Sequence, residues 1–183
     1  MKLLLVDRVA FTIFGQDVYW YGLIITSAIV LDFFLFRYFC KKYNYDKEMP
    51  YDLVLSAVLL GIVGARLFSV IFEKGLDITD FFNFRTGGMS IIGALIGGII
   101  GVGIYALIKK TNFFLITDAL APLVLLAQGI GRWGNFFNGE VYGKVIDNPS
   151  WQWFPFAVKI GNEWHHALFF YESLLNILGF ILL

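Results

Sequence analysis

The sequence predicts an all-α polytopic integral membrane protein: a single membrane domain over residues 1–183, with about five transmembrane helices and its N-terminus outside. Three observations carry that reading. Of the 183 residues, 58% are hydrophobic and 19% aromatic, a balance too apolar for a soluble domain of this length. The apolar residues gather into runs near 19–39, 51–72, 88–108, 113–130 and 167–183. A helix rising about 1.5 Å per residue needs about 20 residues to cross a hydrocarbon core about 30 Å thick. Cations then fall between alternate runs: Arg37, Lys41, Lys42 and Lys47 after the first, Lys109 and Lys110 after the third. An excess of Lys and Arg marks cytoplasmic loops, so both loops are expected inside. Formal charge is zero, which argues against a nucleic-acid partner, and the lone Cys40 excludes an internal disulfide or a multi-cysteine zinc site.

Taken in order, residues 1–18 have mixed polarity and read as an interfacial segment with a turn at Gly15-Gln16-Asp17. Met1-Lys2-Leu3-Leu4-Leu5-Val6 looks like the start of a signal peptide, but Asp7 and Arg8 cut its apolar core short and no small-residue cleavage site follows, so it reads as mature sequence. The first span opens with Trp20-Tyr21-Gly22-Leu23, residue types that anchor helices at the membrane interface. The second carries Ala57, Gly61 and Ala65 at four-residue spacing, a stripe for close helix contact, and also Arg66. An arginine at that depth must face protein, water or an anion, or snorkel to the surface.

Residues 73–86 form an outer loop with Glu73, Lys74, Asp77, Asp80 and Arg85, and its Phe81-Phe82-Asn83-Phe84 run suits a segment lying on the interface. Gly93, Gly97 and Gly101 repeat the four-residue spacing in the third span, and Asp118, Pro122 and Gln128 interrupt the fourth, where proline can kink the helix. Asn148-Pro149-Ser150 reads as a turn, followed by a belt-like Trp151-Gln152-Trp153-Phe154-Pro155-Phe156. His165 and His166 precede the fifth span. Adjacent histidines on a helix diverge by about 100° and no cysteine or carboxylate cluster completes a ligand set, so no metal site is expected.

The chain is organised around Gly131-Arg132-Trp133-Gly134-Asn135-Phe136-Phe137-Asn138-Gly139-Glu140-Val141-Tyr142-Gly143, which sets a cation, two amides and a carboxylate directly after an apolar run. On a helix Arg132 and Asn135 share a face, while Gly131 and Gly134 let a backbone or a ligand approach closely. Such a cluster at head-group depth suits a site; taken singly, the arginine suits a snorkelling anchor and Asn-Gly a turn. The run resembles the signature of the prolipoprotein diacylglyceryl transferase family, Gly-Arg-x-Gly-Asn-Phe-x-Asn-x-Glu-x-x-Gly, with every fixed position present. Further similarities are Trp20-Tyr21-Gly22-Leu23, Gly64-Ala65-Arg66-Leu67-Phe68-Ser69-Val70-Ile71-Phe72, the Gly-Gly-Met-Ser run at Gly87-Gly88-Met89-Ser90, and Tyr171-Glu172-Ser173. Where relatives carry His or Tyr in the Gly-Gly-Met-Ser region, this chain has Ile92, which removes a proton-handling group.

The resemblance implies transfer of a diacylglyceryl group from phosphatidylglycerol, a membrane lipid, to the lipobox cysteine of a prolipoprotein signal peptide, in a bacterial cell membrane, with the site toward the outer face and no cofactor. The residues suit that chemistry, because a thiol nucleophile needs a base and a departing phosphate oxygen needs cationic donors. Arg132 and Arg66 are expected to grip the phosphate, Asn135 and Asn138 to hold glycerol hydroxyls, and Glu140 to orient Arg132 or accept a proton. Tyr21 resembles a site-lining tyrosine of the family. The base stays open among Glu140, Tyr21, His165 and His166.

Two other classes compete: a catalytically weak or silent, truncated relative that binds anionic lipid or lipoprotein precursor, and a small-solute transporter, though no repeat of the two halves is visible. The family pattern continues with further spans, one supplying another arginine, and this chain matches roughly its first two thirds. The expectation is therefore weak or absent transfer from the 183-residue chain alone, with lipid binding retained.

Overall fold

A computed structural model describes residues 8–72, 77–83 and 88–183. The opening apolar run at 1–6, and Glu73, Lys74, Arg85 and Gly87, lie outside the described residues. Five helices dominate: α1 (Trp20–Lys42), α2 (Met49–Phe72), α3 (Ile91–Lys109), α4 (Phe113–Asn138) and α5 (Leu168–Leu182). The first four are long and apolar enough to cross a membrane by length and composition, and α5, at 15 residues, is shorter. The molecule is a mostly helical membrane protein, as its composition requires.

Two antiparallel hairpins depart from the all-helical expectation: β1 (Val9–Ile13) with β2 (Gln16–Tyr19), and β3 (Ala157–Ile160) with β4 (Glu163–His166). The first replaces the interfacial segment expected before the first span. Its two-residue loop is Phe14-Gly15, one position earlier than the expected turn, and both residues have positive φ (51° and 75°). That matches the mirror-image turn that follows strand twist. The second hairpin takes in His165 and His166, so these sit on a strand, where neighbouring side chains point to opposite faces.

The chain forms two compact units, Met1–Leu35 with Ala121–Leu183, and Phe36–Leu120. Within the second unit, α2 and α3 meet backbone to backbone through the two stripes of small residues. A Cβ on Gly64 or Gly97 would run into the carbonyls of Gly93 and Leu60, and one on Gly101 would lie 2.8 Å from the Ser56 carbonyl. Such contact is what small residues permit in lipid, where no hydrophobic force drives helices together. Lys109 at the end of α3 pairs with Asp52 at the start of α2 at 3.0 Å, and Lys110 ends the helix in the left-handed conformation.

Within the first unit, Tyr21 and Ile25 of α1 lie against Gly134 and Gly131 of α4. A Cβ at those glycines would stand 2.9 Å from Tyr21 Cδ2 and 3.2 Å from Ile25 Cδ1. The fourth helix therefore runs two turns beyond the expected end near residue 130, because its glycines are helix contacts rather than terminators. It stops at Asn138, followed by Gly139 with φ +69°. On its other side, Ser173 of α5 donates to the Gly129 carbonyl (2.7 Å) and accepts from Trp133 Nε1 (3.1 Å), fixing α5 against α4.

Candidate active site

The polar cluster expected after the fourth span sits on its last two turns and the residues just beyond. Arg132 Nε lies 2.5 Å from a carboxylate oxygen of Glu172 on α5, with both side chains about a third exposed (35% and 39%). The pair is a close ionic contact, but neither atom meets hydrogen-bond alignment, so its strength is mainly charge attraction. An Arg132 terminal nitrogen reaches Asn135 Oδ1 at 3.5 Å, and Asn135 Nδ2 in turn reaches Glu140 Oε2 at 3.5 Å. The chain Glu172, Arg132, Asn135, Glu140 gives the guanidinium an orienting anion on one side. On the other it couples to an amide and a second carboxylate. Glu172, and not Glu140, makes the direct contact with Arg132.

A cavity of ≈ 570 Å³ opens beside this chain, lined by Arg8, Asp17, Val18, Tyr19, Tyr21, Gly22, Asn138 and Glu140. Three expected site residues, Tyr21, Asn138 and Glu140, thus share one wall system. The β1–β2 hairpin closes one side of this open groove, its position fixed where the Trp20 amide donates to the Arg8 carbonyl at 3.0 Å and where Trp20 stacks on Phe137 at 5.2 Å. Gly134 lets the Tyr21 ring lie directly over α4, so the glycine shapes the site through a side chain rather than through ligand contact.

The histidines stand elsewhere in function. His165 Nδ1 lies 2.9 Å from the Gly143 carbonyl and therefore donates to it, which leaves Nε2 as the acceptor of a neutral ring; Glu163 is 3.6 Å from Nε2, a partner when the ring is protonated. With Tyr142 edge-on at 4.7 Å, His165 fastens the end of the signature to the β3–β4 hairpin. His166 is exposed, and its backbone bonds Gly143 and Lys144.

Arg66 belongs to the second unit and is only 1% exposed. Its guanidinium donates to the carbonyls of Phe81 (3.2 Å), Gly88 (3.0 Å), Asn83 (2.7 Å) and Asp80. These carbonyls line the turn after α2 and the approach to α3. In this geometry Arg66 organises a loop, a use of five planar donors that lysine cannot copy.

Sequence reasoning missed Glu172, Arg8 and Asp17. A carboxylate in the first turns of an apolar helix was the available signal for Glu172. For the other two it was the alternation of Val9, Phe11 and Ile13 with smaller or polar residues before a Phe-Gly loop, a hairpin pattern. Among the described residues no group of three or more His, Cys, Asp or Glu is gathered as a metal site would need.

Comparison with known proteins bears on the same residues. The family model for prolipoprotein diacylglyceryl transferase matches residues 8–183. A phosphatidylglycerol–prolipoprotein diacylglyceryl transferase of Clostridium novyi is 37% identical over 184 residues, covering 97% of this chain and 72% of the relative. Proteins of that name from Clostridium perfringens (numbered 1 there) and Listeria welshimeri are 38% and 37% identical, covering 70% and 67% of their own lengths. A signature at the end of one helix, its cation held by a carboxylate on the next, and a match that runs through both units lead to one conclusion: the chain belongs to the prolipoprotein diacylglyceryl transferase family.

Proposed function

We propose that this protein transfers the diacylglyceryl group of phosphatidylglycerol to the lipobox cysteine thiol of a prolipoprotein signal peptide. The reaction belongs at the outer face of a bacterial cell membrane that the chain crosses several times. The observation that carries the reading is the oriented guanidinium of Arg132, held by Glu172 and linked through Asn135 to Glu140 at the edge of a cavity. In the reaction the thiol gives its proton to a base and sulfur forms a bond to the glyceryl carbon. The bond from that carbon to the phosphate oxygen breaks, and its electron pair leaves with glycerol phosphate.

Arg132 meets the charge that grows on the departing phosphate, and charge-assisted donors aimed at developing charge are worth about 10²–10³ in rate. Asn135 and Asn138 take glycerol hydroxyls. Glu140 and Tyr21, both lining the cavity, are the candidates for accepting the thiol proton, directly or through water. His165 is committed to the Gly143 carbonyl and serves the scaffold. Arg66 is assigned to loop order rather than to the phosphate, on the strength of its four carbonyl partners.

The test is thioether formation on a lipobox peptide reconstituted with the protein. Product, weak beside that of a longer relative assayed in parallel, is expected in phosphatidylglycerol liposomes and none in phosphatidylcholine liposomes. Equal product in both, or in protein-free liposomes, overturns the reading.

A further inference from the structure

The hairpin that closes the cavity contributes more than a wall. The acceptors and donors in that cavity differ in how they are satisfied. Asp17 Oδ1 accepts from Thr12 Oγ1 at 2.7 Å, and Glu140 Oε2 accepts from Asn135 Nδ2 at 3.5 Å. By contrast, the guanidinium of Arg8, the phenol of Tyr21 and the side-chain amide of Asn138 have no hydrogen-bond or ion-pair partner among the described residues, although all three line the same space. The cavity thus holds uncommitted donors beside the remaining oxygens of its two carboxylates, and one of those donors is a permanent cation with a planar fork. A fork of that kind pairs with a phosphate through two parallel hydrogen bonds. The hairpin holds Arg8 there by covalent neighbourhood: the Arg8 carbonyl accepts from the first amide of α1, and Val9 pairs with Tyr19 across the sheet.

We propose that Arg8 is a further substrate-binding residue, which holds the phosphate of a glycerophosphate in the hairpin cavity while Asn138 hydrogen-bonds its glycerol hydroxyls. The proposal rests on the transferase reading for the identity of the ligand. The same glycerophosphate chemistry has two sources, the headgroup of the intact lipid and the glycerol phosphate that departs. Asp17 and Glu140 bring negative charge to the rim, so an anion enters only where the cation is present. Removing Arg8 therefore leaves the two carboxylates with no cation among the lining residues.

The experiment measures binding and not turnover. The full chain and its Arg8→Gln, Arg8→Lys and Lys47→Gln variants are placed in phosphatidylcholine nanodiscs, and affinity is read for phosphatidylglycerol in the disc and for free glycerol phosphate in solution. Lys47, an exposed cation of the other unit, controls for loss of one positive charge. Loss of one charge-assisted contact predicts about tenfold weaker binding in Arg8→Gln, partial recovery in Arg8→Lys and no change in Lys47→Gln. If only the lipid arm weakens, the headgroup is bound while esterified; if only the solution arm weakens, the cavity holds the leaving group.

Binding by Arg8→Gln equal to wild type in both arms overturns the proposal, as does an equal loss in Lys47→Gln, which would reduce the effect to net charge. Thioether assays run in parallel keep the two claims apart. Absent transfer with Arg8-dependent binding sinks the transferase reading alone, and transfer with Arg8-independent binding sinks this proposal alone.

Discussion

Arg66 and Arg132 look alike in the sequence, each an arginine in an apolar helix beside small residues, yet their surroundings are opposite. Arg66 is buried and, among the described residues, donates to the backbone carbonyls of Phe81, Gly88, Asn83 and Asp80, whereas Arg132 is about a third exposed and has one anion at 2.5 Å and one amide oxygen at 3.5 Å. Carbonyls are dipoles fixed by the fold. Satisfying them stabilises a loop and uses up the guanidinium. A side-chain carboxylate orients a guanidinium while leaving it positive enough, and open enough, to meet a phosphate. On the proposed reading, a structural arginine is told from a reactive one by the kind of acceptor it faces, not by its depth.

Four substitutions bear on that comparison. Arg66→Leu has the largest expected effect, because it strands several loop carbonyls in a buried setting. Breaking one side of such a buried charged network costs about 3–5 kcal/mol, and the loss should appear as a lowered melting temperature with or without phosphatidylglycerol. Stability unchanged, with lipid binding lost, would make Arg66 a ligand and erase the distinction. Arg132→Lys comes next, with transfer reduced about 10²–10³-fold and melting nearly unchanged, since the planar fork is lost but the charge stays. A parallel fall in both measurements would place Arg132 with Arg66.

Glu172→Gln keeps the shape of the orienting partner and removes its charge. We expect about a tenfold loss of transfer, a smaller share than Arg132 itself carries, because the guanidinium survives but is less firmly aimed. An effect as large as that of Arg132→Lys would mean that Glu172 handles a proton rather than posture. His165→Asn should matter least, with transfer within about threefold of wild type, since an amide can still donate to the Gly143 carbonyl. A collapse of activity with normal melting would return His165 to the candidates for the base.

The helices were legible because lipid imposes a simple pattern: long apolar runs, and small residues every fourth position where backbones touch. Gly93, Gly97 and Gly101 marked a face for close packing but not its partner, and Gly64, outside both stripes, shares in the contact. The polar run at 131–143 was equally visible, since few reasons exist to place Arg132, Asn135, Asn138 and Glu140 together at a helix end. The partners of those residues were hidden. Glu172 lies 40 residues from Arg132, and nothing local marks the pairing. The acceptors that Arg66 meets among the described residues are main-chain oxygens, which every residue possesses and no sequence displays. The hairpins were obscured by brevity: strands of four or five residues leave too few alternations to stand out beside aromatic belt residues, and Phe14 is an unusual choice for a position with positive φ.

The backbone contact between α2 and α3 has a mechanical consequence. A pair of helices joined by small residues at every fourth position can slide only in steps of four residues, about 6 Å, because each carbonyl ridge must drop into another glycine notch. Arg66 forbids even that step, since it grips the Gly88 carbonyl two residues before the Ser90 cap of α3, while the Ser90 amide bonds the Ala65 carbonyl next door. The two helices therefore form a ratchet with its pawl engaged: the pair can tilt or travel as one rigid plate, but shear along its own seam is locked.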